Sequence, residues 1–209
     1  NDPSHFIYEI LQNAEDAGAS SISFNLFTDQ LEITHNSKND FNFGDVDGIT
    51  GIGISTKKDD LNKIGKFGVG FKSVFAITQS PIIESGQYHF QIDDFVLPKS
   101  LSLNGSAGTT VRLPFNHPIR EQNEIFILVE NKLKDIGLKT LLFLSNIKEI
   151  KWNSPSQNGH YYKSVKPIKG VRNAKKIEIV SQIGNNENFE EYLVLNKPIK
   201  VAEKKLKVE

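Results

Sequence analysis

Apolar residues recur at Phe6, Ile10, Ala14 and Ala17. That three-to-four-residue period predicts an amphipathic helix over residues 6–17. Asp2, Pro3 and Ser4 ahead of it favour a helix start, and Gly18 behind it favours a stop. Alternation then takes over, so that 21–26 and 30–34 read as two short strands with Thr28 and Asp29 near their turn. Residues 35–43 are polar and irregular, 45–50 suit a short helix, and 51–60 is a run of Gly, Ser, Thr, Lys and Asp without a period. A helical pattern returns over 71–77, while 87–92 and 109–113 read as strands.

The character of the chain changes near Pro114 and Pro118. A domain boundary is expected at about residue 119, dividing 1–119 from 120–209. Beyond it, 121–136 is helical, 139–144 is strongly apolar, and the rest suggests hairpins over 149–153, 161–165, 176–181 and 191–196. Gly184, Asn185 and Asn186 supply turn chemistry between the last two.

Charge sharpens the same division. Net charge is zero overall, yet residues 1–119 hold 8 Lys/Arg against 14 Asp/Glu, and residues 120–209 hold 17 against 11. That balance does not support a nucleic-acid partner, and the basic second half suits a solvated lysine-rich surface. There is no cysteine, which rules out disulfides and thiolate metal sites and is compatible with a reducing compartment. No apolar run approaches the roughly 20 residues that span a bilayer, and no secretory pattern opens the chain. The expectation is an intracellular, cytoplasmic protein without a membrane partner.

Two segments carry candidate chemistry. Glu9, Asn13 and Asp16 stand at i, i+4 and i+7, so they share one helical face. A carboxylate can orient water as a general base, and an amide oxygen is a hard ligand suited to Mg²⁺. Alone, such a stripe is common on the wet face of a surface helix. The run Gly65-Lys66-Phe67-Gly68-Val69-Gly70-Phe71-Lys72-Ser73 is more specific, because its glycines let backbone approach a ligand closely. The helix pattern behind it would offer free N–H groups to phosphate oxygens. It lacks the Walker spacing, and it does not follow a strand in a βαβ unit.

Taken together, Glu9-x-x-x-Asn13-x-x-Asp16-Ala17 and, some fifty residues on, the glycine run resemble the ATP-binding (Bergerat) fold of the GHKL superfamily. That superfamily includes DNA gyrase, heat shock protein 90, histidine kinases and mismatch-repair clamps. The words from Ile10 to Ala17, Ser55-Thr56-Lys57-Lys58 and Gly70-Phe71-Lys72-Ser73-Val74-Phe75 look like the sacsin-type, heat-shock-protein-90-like branch. Gly108-Thr109-Thr110-Val111 resembles the element that contacts adenine. The resemblance implies an α+β fold: a Bergerat-type α/β sandwich, a mixed β-sheet covered by helices, followed by a smaller β-rich segment. That segment is expected to be the start of a transducer- or middle-like domain.

It also implies roles. Glu9 would position the attacking water, Asn13 would coordinate Mg²⁺ and Asp16 would support the nucleotide side of the helix. Gly65, Lys66, Phe67, Gly68, Val69, Gly70 and Phe71 would form the phosphate segment, with Thr109 in the adenine subsite. Ser55, Thr56 and Lys57, at the start of an ATP lid, would reach the nucleotide on closure. One element departs from the family, whose Asp-x-Gly after the second strand accepts the adenine amino group. Here His35-Asn36-Ser37 stands there. A neutral imidazole at His35 or the amide oxygen of Asn36 can accept the same bond, without charge assistance. Asp45 and Asp47 fall too far along to replace it and read as helix-start residues.

The expected cofactors are ATP and Mg²⁺, and the expected activity is an ATPase module that drives conformational change in a larger protein. Relatives commonly dimerise, so the expected partners are ATP/ADP, a second copy of the chain, and a protein client that the sequence does not specify. The alternative is a non-hydrolysing nucleotide sensor or degenerate interaction scaffold of the same fold. A histidine kinase is disfavoured, since no phospho-acceptor helix pair precedes the motifs.

Overall fold

Alternating burial along six-residue strands places one row of side chains on a helix-covered face and the other row outside. The computed structural model describes residues 4–51, 70–102, 108–171 and 173–195. In chain order these form α1 (Phe6–Asp16), β1 (Ser21–Leu26), β2 (Gln30–His35), α2 (Phe43–Thr50), a 3₁₀ helix (Phe71–Ala76), β3 (Ile82–Ser85), β4 (Tyr88–Asp93), β5 (Leu97–Ser100) and β6 (Thr109–Pro114). Then follow α3 (Gln122–Lys134), α4 (Leu138–Phe143), β7 (Glu149–Asn153), β8 (Asn158–Pro167), β9 (Ala174–Ile183) and β10 (Asn186–Leu195). The ten strands make one mixed sheet in the order β10-β9-β8-β7-β1-β2-β6-β3-β4-β5. β1 and β7 run parallel, and the other pairs are antiparallel.

This is the expected α+β architecture. Ile22, Phe24 and Leu26 of β1, Leu31 and Ile33 of β2, and Val111 and Leu113 of β6 face inward. They join Phe6, Ile7, Ile10, Leu11 and Ala14 of α1 and Ile125, Val129 and Leu133 of α3 in a single apolar cluster. The opposite face of the same strands is polar and ionic. Arg112 Nε lies 2.9 Å from Glu32, its NH1 3.0 Å from Glu84, and Glu84 also meets His89 at 2.8 Å. Both carboxylates raise the Arg112 pKa, Glu84 foremost. This ladder fastens β2, β6, β3 and β4 from outside.

The boundary expected near residue 119 falls in the connection between β6 and α3. The sheet runs across it: β7 pairs with β1 from Ser21↔Glu149 to Asn25↔Asn153, and β8, β9 and β10 extend from there. The β-rich segment is therefore continuous with the sheet that carries the first half. A buried carboxylate reinforces the junction. Glu15, at the end of α1, accepts N–H bonds from Ser145, Asn146 and Ile147 at 2.7, 2.7 and 2.9 Å. Beside it Lys163 is buried and donates to the Leu141 and Leu144 carbonyls. Burial lowers the Lys163 pKa, and Glu15 counteracts that effect.

Other departures from the sequence pattern have local causes. The helix expected over 71–77 is a six-residue 3₁₀ helix, and the apolar run at 139–144 is α4. Two strands were not legible: β3 spans four residues after Pro81, and β5 is exposed throughout, contains Pro98 and shows no alternation. Asp45 completes a capping box with Asn42, the Asn42 side chain accepting from Gly44 and Asp45 N–H while Asp45 takes the Asn42 N–H.

Glu15→Ala would leave three main-chain N–H groups without their acceptor, that of Ile147 in a buried position. A loss of about 3–5 kcal/mol is expected, as for breaking a buried charged network. Denaturant unfolding measures it, and Glu15→Gln should recover part of the loss.

Candidate functional site

The register of the sheet assembles the site. His35 on β2 is paired with Thr109 on β6, and Thr109 with Ser85 on β3. Paired residues present their side chains to the same face, so these three form one polar row at the end of an otherwise apolar surface. Thr109 is 2 % exposed, and its hydroxyl lies 2.6 Å from Ser85 Oγ and 3.3 Å from Ser37 Oγ. Ser85 Oγ also accepts the Phe41 N–H at 3.0 Å. Gly108 immediately precedes β6, the middle strand of the row; its φ of 81° suits glycine, and a Cβ there would stand 2.4 Å from the His35 carbonyl oxygen.

Above the row lies a cavity of about 20 Å³ lined by Ile10, Asn13, Ala17, His35, Phe41, Phe71, Thr109 and Val111. Four residues singled out in the sequence, Asn13, His35, Phe71 and Thr109, thus converge although they span 97 positions of chain. His35 is 8 % exposed, and its Nδ1 is buried without a hydrogen-bond partner among the described residues. Burial pushes its pKa from 6.5 down to about 4, so the ring is neutral near pH 7.

Glu9 stands one turn before Asn13 on the half-buried face of α1, with His5 Nε2 3.2 Å from its Oε1. Its other carboxylate oxygen packs against Gly70, where a Cβ would come within 2.1 Å. Gly70 has ordinary helical φ and ψ, so space rather than backbone conformation calls for glycine there. Gly70 O accepts from Ser73 N–H and Oγ, and the Lys72 ammonium donates to the Gly51 carbonyl at 2.6 Å.

Two other expected residues turn elsewhere. Asp16 is exposed and accepts from the Gln12 amide at 3.0 Å. Asn36 caps the start of β1, accepting from Ser20 and Ser21 N–H at 2.9 Å each, and its own amide donates to Ser20 Oγ. Ser55, Thr56, Lys57, Gly65, Lys66, Phe67, Gly68 and Val69 lie outside the described residues. Ser85 and Phe41 were not found from sequence, because only the pairing of β3 with β6 and the bond from Phe41 N–H to Ser85 Oγ bring them to the site. Among the described residues no group of three or more His, Cys, Asp or Glu could hold a metal. No helix among them is long and apolar enough to cross a membrane.

The chain resembles known proteins in sequence and in fold. Residues 1–99 match the Sacsin domain family. Human sacsin is 37% identical over 108 aligned residues, covering 43% of this chain and 2% of sacsin. Protein NO VEIN of Arabidopsis thaliana is 30% identical over 174 aligned residues, covering 69% of this chain and 6% of that protein. The chain therefore spans a small part of either relative. The B-subunit of the DNA gyrase from Myxococcus xanthus superposes with a TM-score of 0.50 at 10% identity, covering 86% of this chain and 61% of that one. The fold is that of the GHKL (Bergerat) superfamily, a mixed sheet with helices on its apolar face. Within that class, residues 1–99 resemble the sacsin-type branch.

The buried imidazole gives a pH signature. A folded pKa below the unfolded value means that the unfolded chain binds the extra proton, so stability falls as pH drops from about 6.5 towards 4. Between pH 7 and pH 5 the loss due to His35 should be about 2 kcal/mol. Denaturant unfolding at the two pH values should show it in the native chain, and His35→Asn should lack that component.

Proposed function

We propose that this domain binds Mg·ATP and hydrolyses it to switch a larger protein between conformations. The observation that carries the reading is the convergence of Asn13, His35, Phe71 and Thr109 on one cavity, with Glu9 one helical turn away against Gly70. The donor set fits its ligand. A buried imidazole nitrogen without a partner and a row of hydroxyls suit a purine edge, and apolar Ile10, Phe41 and Val111 suit the faces of a ring. The cavity holds about one water at its present size. A base therefore enters only as lining side chains turn aside, which couples binding to movement.

At the phosphate end, Asn13 supplies one amide oxygen for Mg²⁺. That ion takes oxygen ligands and completes its shell with phosphate oxygens and water, so one protein oxygen is compatible with its habits. When bound, Mg²⁺ would neutralise charge on the transferring phosphoryl group. Glu9 is the general base of this scheme, half-buried and held by His5 and by the close approach of Gly70. The unassigned basic residues of the second half and a homodimeric arrangement belong to the same proposal, as does action on a protein client.

A second reading, a nucleotide sensor that does not hydrolyse, draws support from the base end. No carboxylate faces the cavity among the described residues, and Asn36 is committed to capping β1. Calorimetric titration with ATP and ADP, with and without Mg²⁺, alongside a phosphate-release assay separates the two. The leading reading requires Mg²⁺-dependent binding and turnover. Glu9→Ala should lower turnover by roughly 10²–10⁴-fold, the usual range for a general base, with ATP affinity largely kept. Unchanged turnover would remove Glu9 from its role. Gly70→Ala should push the same carboxylate aside and slow turnover without altering charge, to an extent that a crystal structure of the variant would explain.

A further inference from the structure

Every polar side chain that lines the cavity can reverse the direction of its hydrogen bond. His35 is neutral near pH 7, and its buried Nδ1 accepts when the proton sits on Nε2 and donates when it sits on Nδ1. Thr109 carries a hydroxyl whose links to Ser85 and Ser37 work with either partner as donor. The Asn13 amide offers both a donor and an acceptor. No ionised side chain lines this cavity among the described residues. A carboxylate at the place of His35 would be an acceptor only, and would repel a carbonyl oxygen.

From this reversible lining we infer that the pocket takes purine nucleoside triphosphates irrespective of whether position 6 carries an amino or an oxo group, with His35 reading that position by exchanging tautomers. The inference rests on the nucleotide reading above and adds its base specificity. The two purine edges differ in a way that matches the lining. An amino-purine presents a donor at position 6 and an acceptor at N1, and an oxo-purine presents the opposite pair. Moving one proton across the His35 ring and rotating the Thr109 hydroxyl turns one complementary set into the other. Both changes take place inside neutral groups, so neither leaves a buried charge without a partner.

Isothermal titration of the protein with ATP and with inosine triphosphate, which differ at position 6 and N1 alone, tests this. The two dissociation constants are expected to lie within about tenfold of each other, since each base finds complementary partners. His35→Asp should keep ATP binding and weaken inosine triphosphate by more than about tenfold, because a site fixed for one hydrogen-bond direction rejects the other. If the native protein itself prefers ATP by more than that, the inference is overturned while the nucleotide reading stands. If neither nucleotide binds, both are overturned. A permissive native protein whose His35→Asp variant remains permissive removes His35 from the role.

Nitrogen-15 NMR of the His35 ring in the native protein makes the test independent of whether the variant folds. The protonated nitrogen should be Nε2 with ATP bound and Nδ1 with inosine triphosphate bound. The same tautomer in both complexes would overturn the inference.

Discussion

Glu15 lies on the side of α1 turned away from Glu9 and Asn13, and its two carboxylate oxygens take three successive main-chain N–H groups from residues 145–147. Those residues lead directly into β7, the strand that runs parallel to β1. One buried side chain therefore fixes the helix bearing Glu9 and Asn13 against the sheet bearing His35 and Thr109. Desolvating a carboxylate is costly, and three N–H donors with an ammonium nearby are what offset it. The position of Asn13 relative to His35 follows from this junction together with the apolar face of α1, where Phe6, Ile7, Ile10, Leu11 and Ala14 pack into the core.

The cavity around His35 obeys a different constraint. Register sets His35, Thr109 and Ser85 in one row, and the ionic ladder of Glu32, Arg112, Glu84 and His89 ties the same strands from the other face. Charge is thus kept to that face, where Arg112 and Glu32 are partly exposed and the buried Glu84 is compensated by Arg112 and His89. The inner face stays neutral, with an imidazole that burial keeps unprotonated. A pocket built this way discriminates by shape and by hydrogen-bond complementarity rather than by charge.

Much of this was legible in the sequence. The helix over Phe6–Asp16 and the strands Ser21–Leu26 and Glu149–Asn153 follow from periodicity, because each buries one face against a common core. Glu9 and Asn13 were visible as a stripe, and His35 as a departure from a motif. What escaped depended on pairing between distant segments. Ser85 sits on a four-residue strand without alternation. Glu15 carries no signal of its own in the sequence, and its role emerges only where the N–H groups of 145–147 meet it. Asn36 has the chemistry of a ligand residue, and only the fold shows its oxygen turned to the N–H groups that open β1.

The continuity of the sheet bears on what the second half does. β1 lies between β7 and β2, so the strand that carries His35 is two places from the first strand of the C-terminal set. A displacement of β7 would have to be accommodated by breaking the parallel pairing with β1, by loosening the three bonds to Glu15, or by carrying both along. The first two routes expose buried polar groups. Movement of β7 together with α1 and β1 keeps them paired, and this physical link ties the β-rich extension to Glu9 and Asn13.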